Sequence, residues 1–383
     1  MAAVRRGHSL RAVARRCQVS LATVQYWVRR AEGQRLDRVD WTDRPHSPAA
    51  PRRTEAEIEE LVLTLRRELA ETSDLGSYGA EAIQQALHTR GLEAVPSIRT
   101  IGRILERHGA LDGRKRVRRP PPPHGWYLPE VASRAVELDS FDVVEGLVIK
   151  DGPQVEVLNG VSLHGGLVTS WPMAASVTAK AVTEALVEHW RACGLPGYAQ
   201  FDNDTIFQGT HARPDVVGRV MRLCLSLGVV PVFVPPREPG FQAMIEGYNG
   251  QWQAKVWARF THGSLADLQE HSRLYVRAVR RRRADRIESA PERCSFPKAW
   301  RLNLQAHPHG RVVYLRRTNA SGAVDLLGRS FPVDIHWIHR LVRIEFDLDT
   351  DRLRFFALRR REPVVQPMLS EACHHIPMRR FKE

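Results

Sequence analysis

The chain has 383 residues, more than one domain of typical size, so we expect two to four domains. Lys and Arg number 57 against 43 Asp and Glu, and the formal net charge of +14 favours a polyanionic partner, nucleic acid first. The hydrophobic fraction of 43% is ordinary for a globular protein, and no apolar run approaches the roughly 20 residues of a membrane span. We therefore expect no membrane partner; the alternative is an unspecialised Arg-rich soluble protein.

The five cysteines are scattered through the chain and show no zinc-ligand spacing. The arginines near the N-terminus are not followed by the apolar segment of a secretory leader. We therefore expect reduced thiols in a cytoplasmic protein, and its charge predicts association with a bacterial nucleoid.

Residues 1–44 are predicted to form a helix-turn-helix DNA-binding domain. Ser9 and Ser20 can each cap a short helix, and residues 17–20 form the turn between the two helices. In this motif the second helix enters the major groove. A plain helical hairpin is the alternative. The predicted contacts to base edges are Thr23, Gln25 and Tyr26, and those to phosphates are Arg29 and Arg30.

Residues 54–111 are predicted to form a second helix-turn-helix-like DNA-binding domain of three helices. Thr54 and Glu57 match a capping box, and Ser97 can cap the third helix. The spacing of the apolar residues predicts a buried stripe on that helix, made of Ile98, Ile101, Ile104 and Leu105. The residues predicted to face DNA are Arg99, Thr100 and Arg103.

Residues 112–133 form a basic, Pro-rich linker. Its prolines predict a stiff, extended spacer. Its basic run, with Arg114, Lys115 and Arg116, is either an arm that follows a DNA strand or only a solvated linker.

Residues 134–262 are predicted to form an α/β domain with the order β-β-β-α-β-α-β-α, which favours one mixed sheet covered by helices. The last helix is expected from about Phe241 to Phe260. A basic helical segment follows at 263–305, and Arg280, Arg281, Arg282 and Arg283 are predicted to lie along phosphates. Five short strands with near-regular spacing predict a small β-barrel at 306–362, followed by a tail at 363–383.

Three acidic residues stand at positions suited to metal chemistry. Asp139 lies in the first predicted strand of the α/β domain, Asp202 follows the fourth, and Glu246 lies on the last helix. If the first and fourth strands are neighbours, both aspartates emerge on one side, and three nearby carboxylates require a cation between them. Oxygen ligands suit Mg²⁺ or Mn²⁺, and two such ions can catalyse an in-line phosphoryl displacement. Spacing alone leaves other acids open: Glu137, Asp142, Asp204 and Asp215.

The residues around these acids resemble the DDE transposase and retroviral-type integrase superfamily. Residues 202–207 read Asp-Asn-Asp-Thr-Ile-Phe, similar to the family's Asp-Asn-Gly-x-x-Phe pattern. Residues 235–240 read Pro-Pro-Arg-Glu-Pro-Gly and lead to Glu246 and Asn249, as the family's Pro-rich loop leads to its Glu and Asn. The resemblance implies a multidomain protein: all-α helix-turn-helix modules, an α/β ribonuclease-H-like integrase core and a C-terminal small β-barrel.

Three departures accompany the resemblance. Asp204 replaces a Gly, where a positive φ is expected. The separation of Asp202 from Glu246 is longer than usual, and we expect the extra residues at 210–217. Gln253 stands where a basic residue is common, and Lys255 is the nearest candidate.

The resemblance implies a transposase or integrase that binds the terminal repeats of an element, cuts its 3′ ends and joins them to target DNA. Asp139, Asp202 and Glu246 would be the catalytic and metal-binding residues, with Asp142 a substitute for the first, and Asn203 and Asn249 would orient ligands or DNA. A homo-oligomer on double-stranded DNA follows, because two ends are processed together. The alternatives are an inactive or domesticated DNA-binding regulator and a ribonuclease-H-like nuclease without strand transfer.

Overall fold

A computed structural model describes most of the chain, in two compact units, Met1–Glu59 and Glu60–Glu383. The residues described are 1–43, 54–74, 76–111, 125–210, 212–238, 240–360 and 362–382. The predicted contacts Arg114, Lys115 and Arg116 lie outside them. Among the described helices, none combines the length and the apolar character needed to cross a membrane.

The first unit begins with three short helices. They are α1 (Ala2–Arg5), α2 (Leu10–Arg16) and α3 (Leu21–Arg30). The hydroxyl of Ser9 accepts the backbone N–H of Ala12, and that of Ser20 accepts the N–H of Thr23, so both expected caps are present. The small core contains Val13, Ala14 and Val24. Its DNA-reading role stays a prediction.

Three further helices pack around a core of their own. They are α4 (Ala56–Thr72), α5 (Ala80–Thr89) and α6 (Ile98–Arg107). Ile101, Ile104 and Leu105 of α6 are buried as predicted. Ile98 is 47% exposed, because the packed stripe begins only one turn inside the helix. The expectation that Ile98 is buried was wrong.

The α/β region has the predicted order of strands and longer helices, with two short helices that were not predicted. It contains α7 (Pro129–Ala132), β1 (Leu138–Val148), β2 (Gln154–Ser162), β3 (Val168–Ala174), α8 (Ala179–Cys193), β4 (Tyr198–Phe201), α9 (Thr205–Gln208), α10 (Arg219–Ser226), β5 (Val230–Phe233) and α11 (Ala243–Trp252). The two short helices are α7 and α9. The long last helix of the prediction ends early, because one turn of π-helix follows α11 at Gln253–Trp257.

Two helices and six strands follow among the described residues. They are α12 (Leu265–Arg282), α13 (Ala284–Glu288), β6 (Arg311–Arg317), β7 (Ala323–Leu326), β8 (Arg329–Pro332), β9 (Leu341–Asp347), β10 (Arg352–Ala357) and β11 (Met368–Cys373). Nine of the eleven strands in the described ranges form one sheet in the order β11-β10-β9-β6-β5-β4-β1-β2-β3, while β7 and β8 pair as a separate hairpin. Parallel pairing joins β1, β4, β5 and β6, and the outer pairs are antiparallel.

The C-terminal strands extend the sheet of the α/β region, and in the described part of the chain they do not close into a separate barrel. Strand β6 pairs with β5, with Val232 opposite Val313 and Phe233 opposite Tyr314. The rings of Phe233 and Tyr314 stack at 5.3 Å, and one apolar core runs from Phe141 to Phe355. The expectation of a small barrel was wrong because strand spacing predicts how many strands form but not which edge they join.

The long segment between Asp202 and Glu246 is anchored to this C-terminal layer. The buried carboxylate of Asp215 accepts hydrogen bonds from Arg329 on β8 and lies 2.8 Å from Nε2 of His374. Within the expected extra residues at 210–217, Asp215 is therefore fixed against β8 and the chain after β11.

Candidate active site

The pairing of β1 with β4 decides which acids meet. Asp139 pairs with Ala199 and Ser140 with Gln200, so the same register continued by two residues sets Asp142 level with Asp202. A strand advances about 3.3 Å per residue, so Asp139 lies roughly 10 Å behind this level. Side chains three residues apart also point to opposite faces of a sheet. The structure therefore brings Asp142, and not Asp139, to Asp202.

Asp139 is held in an ion-pair network on the other face of the sheet. Its carboxylate is 1% exposed, forms an ion pair with Arg293, and accepts the indole N–H of Trp190 at 3.2 Å. Nε2 of His189 lies 3.7 Å from the same carboxylate. Burial alone would raise the pKa of Asp139, but the charges and hydrogen bonds of Arg293 and His189 together outweigh burial, and the pKa is lowered. Asp139 thus ties β1 to α8 and to the chain before β6.

Asp142 faces the opposite way, towards α11. Burial raises its pKa to about 6, and the charges of Asp202 and Glu246 add to the shift. The side-chain N–H of Asn249 donates to Asp142 at 2.7 Å, while Asn249 Oδ1 accepts from Asn159 at 2.9 Å. Sequence reasoning missed Asn159, which stands opposite Asp142 on β2 and shows no local motif.

Asp202 lies half-buried just beyond the end of β4. Burial raises its pKa, and the charges of Asp204 and Glu145 add to the rise, while a hydrogen bond from the backbone N–H of Asp204 opposes it. Asp204 itself has φ −61° and caps α9 by accepting the N–H of Ile206 at 2.8 Å. The expected positive φ is absent there, and Asp is a favoured N-cap residue, so its presence in place of Gly carries no backbone strain.

The side chain of Asn203 is hydrogen-bonded on both sides to neighbouring parts of the sheet. Its side-chain N–H donates to the carbonyl of Val234 at 2.6 Å, and its Oδ1 accepts from Arg316 at 2.8 Å. It therefore joins the ends of β4, β5 and β6.

Lys255, the nearest basic residue after Glu246, donates to the carbonyl of Gly76 at 2.6 Å.

The donor chemistry of the site fits a hard divalent cation. As the side chains stand, no three His, Cys, Asp or Glu among the described residues converge closely enough to enclose a metal ion. Asp142, Asp202 and Glu246 nevertheless supply only carboxylate oxygens, the ligands preferred by Mg²⁺ and Mn²⁺. The first two have raised pKa values, as expected for acids that lack a compensating positive charge. Glu246 is exposed in the first turn of α11, and its charge acts on Asp142.

The predicted DNA-facing residues of the two helical modules differ in accessibility. On α3, exposed side chains belong to Thr23, Gln25, Tyr26 and Arg29. Arg30 instead donates to Asp40 at 2.9 Å and to the carbonyl of Thr42 at 2.8 Å. On α6, Arg99 and Arg103 are exposed, while the half-buried Thr100 hydroxyl bonds to Ser97.

The arginine run at the end of α12, with Arg283 as the residue that follows the helix, is divided between two surroundings. Arg280 donates to the carbonyl of Val168 at 2.8 Å, and Arg283 donates to the carbonyl of Gly166 at 2.8 Å. Arg281 and Arg282 are exposed and pair with Asp74 and Glu81. Arg280 and Arg283, two of the four predicted phosphate contacts, therefore bind the backbone around β3. They act together because residues three apart lie on the same face of a helix.

The comparisons with known proteins give structural neighbours only. No protein-family model and no curated protein matches the sequence. The structure is similar to solved retroviral integrases. The catalytic core domain of BIV integrase has 17% identity, a TM-score of 0.28, and coverage of 36% of this chain and 80% of that domain.

Two further neighbours belong to the same group. The HTLV-2 integrase catalytic core domain, solved in complex with magnesium in a dimeric form, has 15% identity and a TM-score of 0.28, covering 41% of this chain and 88% of that one. The simian T-cell lymphotropic virus intasome, in complex with the PP2A regulatory subunit B56 gamma, has 13% identity and a TM-score of 0.34, covering 68% and 87%. With TM-scores this low, function has to be argued from the side chains.

Proposed function

We propose that this chain is a DNA transposase or integrase, a polynucleotidyl transferase in which Asp142, Asp202 and Glu246 hold divalent Mg²⁺ or Mn²⁺. The observation that carries the proposal is the register of β1 against β4, which sets Asp142 level with Asp202 below α11. Asp142 takes the place of Asp139, whose carboxylate is committed to Arg293.

Some residues of the site would bind the metal ions, and others position the residues that do so. Divalent ions held by the three acids would activate an attacking water or 3′-hydroxyl and stabilise the leaving oxygen of the phosphodiester. Asn249 orients Asp142 through its 2.7 Å hydrogen bond, and the N–H of Asp204 orients Asp202 at 3.0 Å. Asn203 acts as a positioning residue, since it holds the strand ends beside Asp202.

The substrate of the proposed reaction is double-stranded DNA. The net charge of +14 favours a phosphate backbone, and the exposed polar and basic residues of α3 and α6 suit the binding of element ends. Hydrolysis would free a 3′-hydroxyl at each end, and a second displacement would join that hydroxyl to a target strand. Processing two ends together requires at least two copies of the chain on the DNA.

The test uses the purified full chain and a duplex carrying the genomic sequence that flanks its gene, with Mg²⁺ or Mn²⁺. Wild type is expected to nick the duplex and join its ends to plasmid DNA. Asp142→Asn, Asp202→Asn and Glu246→Gln are expected to bind the duplex but yield no product. Asp151→Asn, an exposed Asp in the turn between β1 and β2, is the matched control and should match wild type.

The reaction products distinguish the proposed transposase or integrase from a nuclease and from a regulator. Nicks without joined strands indicate a nuclease. Binding without any cut by wild type indicates a regulator. Full activity of a folded Asp142→Asn variant would remove Asp142 from the proposed site.

A further inference from the structure

A basic groove lies beside the C-terminal half of the sheet, with a volume of about 770 Å³. We call it the Trp337 groove. It is lined by Arg317, Trp337, His339, Arg340, Arg359 and Arg360, and by the acids Glu238 and Glu362. Its cationic residues outnumber its acids, so the groove suits an anionic occupant.

Two arginines of the groove share one aromatic ring. The guanidinium carbons of Arg340 and Arg359 lie 4.8 and 5.5 Å from the ring centroid of Trp337. The ring is buried, and its indole N–H donates to the carbonyl of Leu341 at 3.0 Å, which fixes its position. The two guanidinium groups are therefore within about one Debye length of each other at 0.1 M salt, ~10 Å.

This pair of like charges is only partly compensated. Arg359 pairs with Glu362 at 3.1 Å, and in the described part of the chain no acid pairs with Arg340. A cation on an aromatic ring gains little free energy at an exposed site. Guanidinium groups bind phosphate through paired N–H donors, so an added phosphate would neutralise the charge that the groove leaves in excess.

The groove is continuous with the edge that carries the proposed acids. Arg317 ends β6, and its neighbour Arg316 donates to Asn203, the residue after Asp202. Arg317 also forms an ion pair with Glu238, in the loop that leads towards Glu246. Because β4, β5 and β6 are parallel, their carboxyl ends lie along this one edge.

We propose that the Trp337 groove binds the phosphate backbone of a DNA strand that runs along this edge to Asp142 and Asp202. This inference rests on the proposed function and adds the position of the DNA strand. Arg340 and Arg359 each bind a phosphate, and phosphates recur every 3.4 Å or so of helix axis along one strand. Trp337 holds both arginines in place.

The test measures how the affinity of the full chain for a 40-base-pair duplex depends on NaCl, in EDTA so that nothing is cut. Each phosphate contact contributes about 0.9 to the slope of log K against log salt. Arg340→Gln with Arg359→Gln is expected to reduce the slope by about 1.8. Arg352→Gln with Arg354→Gln is the matched control, since it removes equal charge from β10, where both arginines pair with Glu371.

Equal slopes for the two double variants, both with wild-type melting curves, would overturn the proposal. Arg340→Lys with Arg359→Lys is expected to keep the wild-type slope, because both charges remain. A cleavage assay without product, combined with a reduced slope for the Gln pair, would therefore reject the proposed reaction and leave the groove as a DNA-binding surface.

Discussion

Two aspartates three residues apart on β1 have opposite electrostatic surroundings. Asp139 lies beside Arg293 and His189, which lower its pKa against the effect of burial. Asp142 lies near Asp202 and Glu246, and burial together with their charges raises its pKa to about 6. One acid therefore stabilises the folded chain when ionised, and the other destabilises it unless a cation is bound.

Asp142→Asn is expected to stabilise the metal-free core at pH 7. A folded pKa near 6, above the ordinary value of 3.8, means that wild type loses stability as pH rises from about 4 through 6. The loss is at most about 3 kcal/mol, since each pKa unit corresponds to about 1.4 kcal/mol. Urea unfolding of the core in EDTA at pH 4.5 and pH 7 measures the effect, which the Asn variant should lack.

Asp139→Asn, on the same strand, is expected to have the opposite effect on stability. It should destabilise the core at pH 7 by about 3 kcal/mol, because the buried Arg293 loses its partner. Added Mg²⁺ should stabilise wild type more than Asp142→Asn. If both variants lower stability in EDTA, the cost of ionising the buried Asp142 does not dominate its contribution to stability.

At the scale of elements, α12 and α13 show how a basic helix divides its charges. Leu268, Tyr275 and Val279 of α12 are buried, although arginine dominates its C-terminal half. Arg286 on α13 donates to the carbonyls of His164 at 2.7 Å and Leu163 at 2.8 Å. Arg281 is exposed on α12, where it pairs with Asp74 at 3.5 Å.

Arg286→Gln and Arg281→Gln should therefore have separate effects. Loss of the two charged hydrogen bonds of Arg286 is expected to destabilise the core by about 2 kcal/mol. Arg281→Gln should change stability by less than about 0.5 kcal/mol and reduce the salt slope of DNA binding by about 0.9. Thermal melts and anisotropy titrations separate the two, and equal stability losses would contradict the division.

At the scale of the molecule, the single nine-stranded sheet makes the C-terminal strands part of the core. Strand β6 covers the edge of β5, and the shared apolar cluster includes residues from both halves, such as Phe201 and Ile344. The first unit, in contrast, has a separate small core around Val13 and Val24.

Truncation should reveal this difference. Residues 1–305 are expected to lose the cooperative unfolding of the core and to aggregate, because the edge of β5 and its apolar face become exposed. Residues 54–383, which keep α4 whole, should retain the transition of the full chain. Circular dichroism melts and light scattering measure both, and a folded, monomeric 1–305 would show that the C-terminal strands are dispensable.

Local features were predictable because they depend on neighbours in sequence. The serine caps at Ser9, Ser20 and Ser97 satisfy backbone N–H groups within three residues. The order of strands and helices around the sheet also follows from local periodicity. The motifs at Asp202 and Glu246 are likewise short segments of sequence, and the position of each follows from the strand or helix beside it.

Three features could be identified only from the tertiary structure. They are the first acid of the proposed site, the strand that pairs with β6, and the contacts of each arginine. Asp139 and Asp142 both lie on β1, and only its register against β4 sets Asp142 level with Asp202. The pairing of β6 with β5 joins residues about 80 positions apart, which no local spacing encodes. By itself the sequence determined most of the elements, though not β11 in the expected tail, and it pointed to two of the proposed acids; long-range pairing decided which face each side chain occupies and what charge lies beside it.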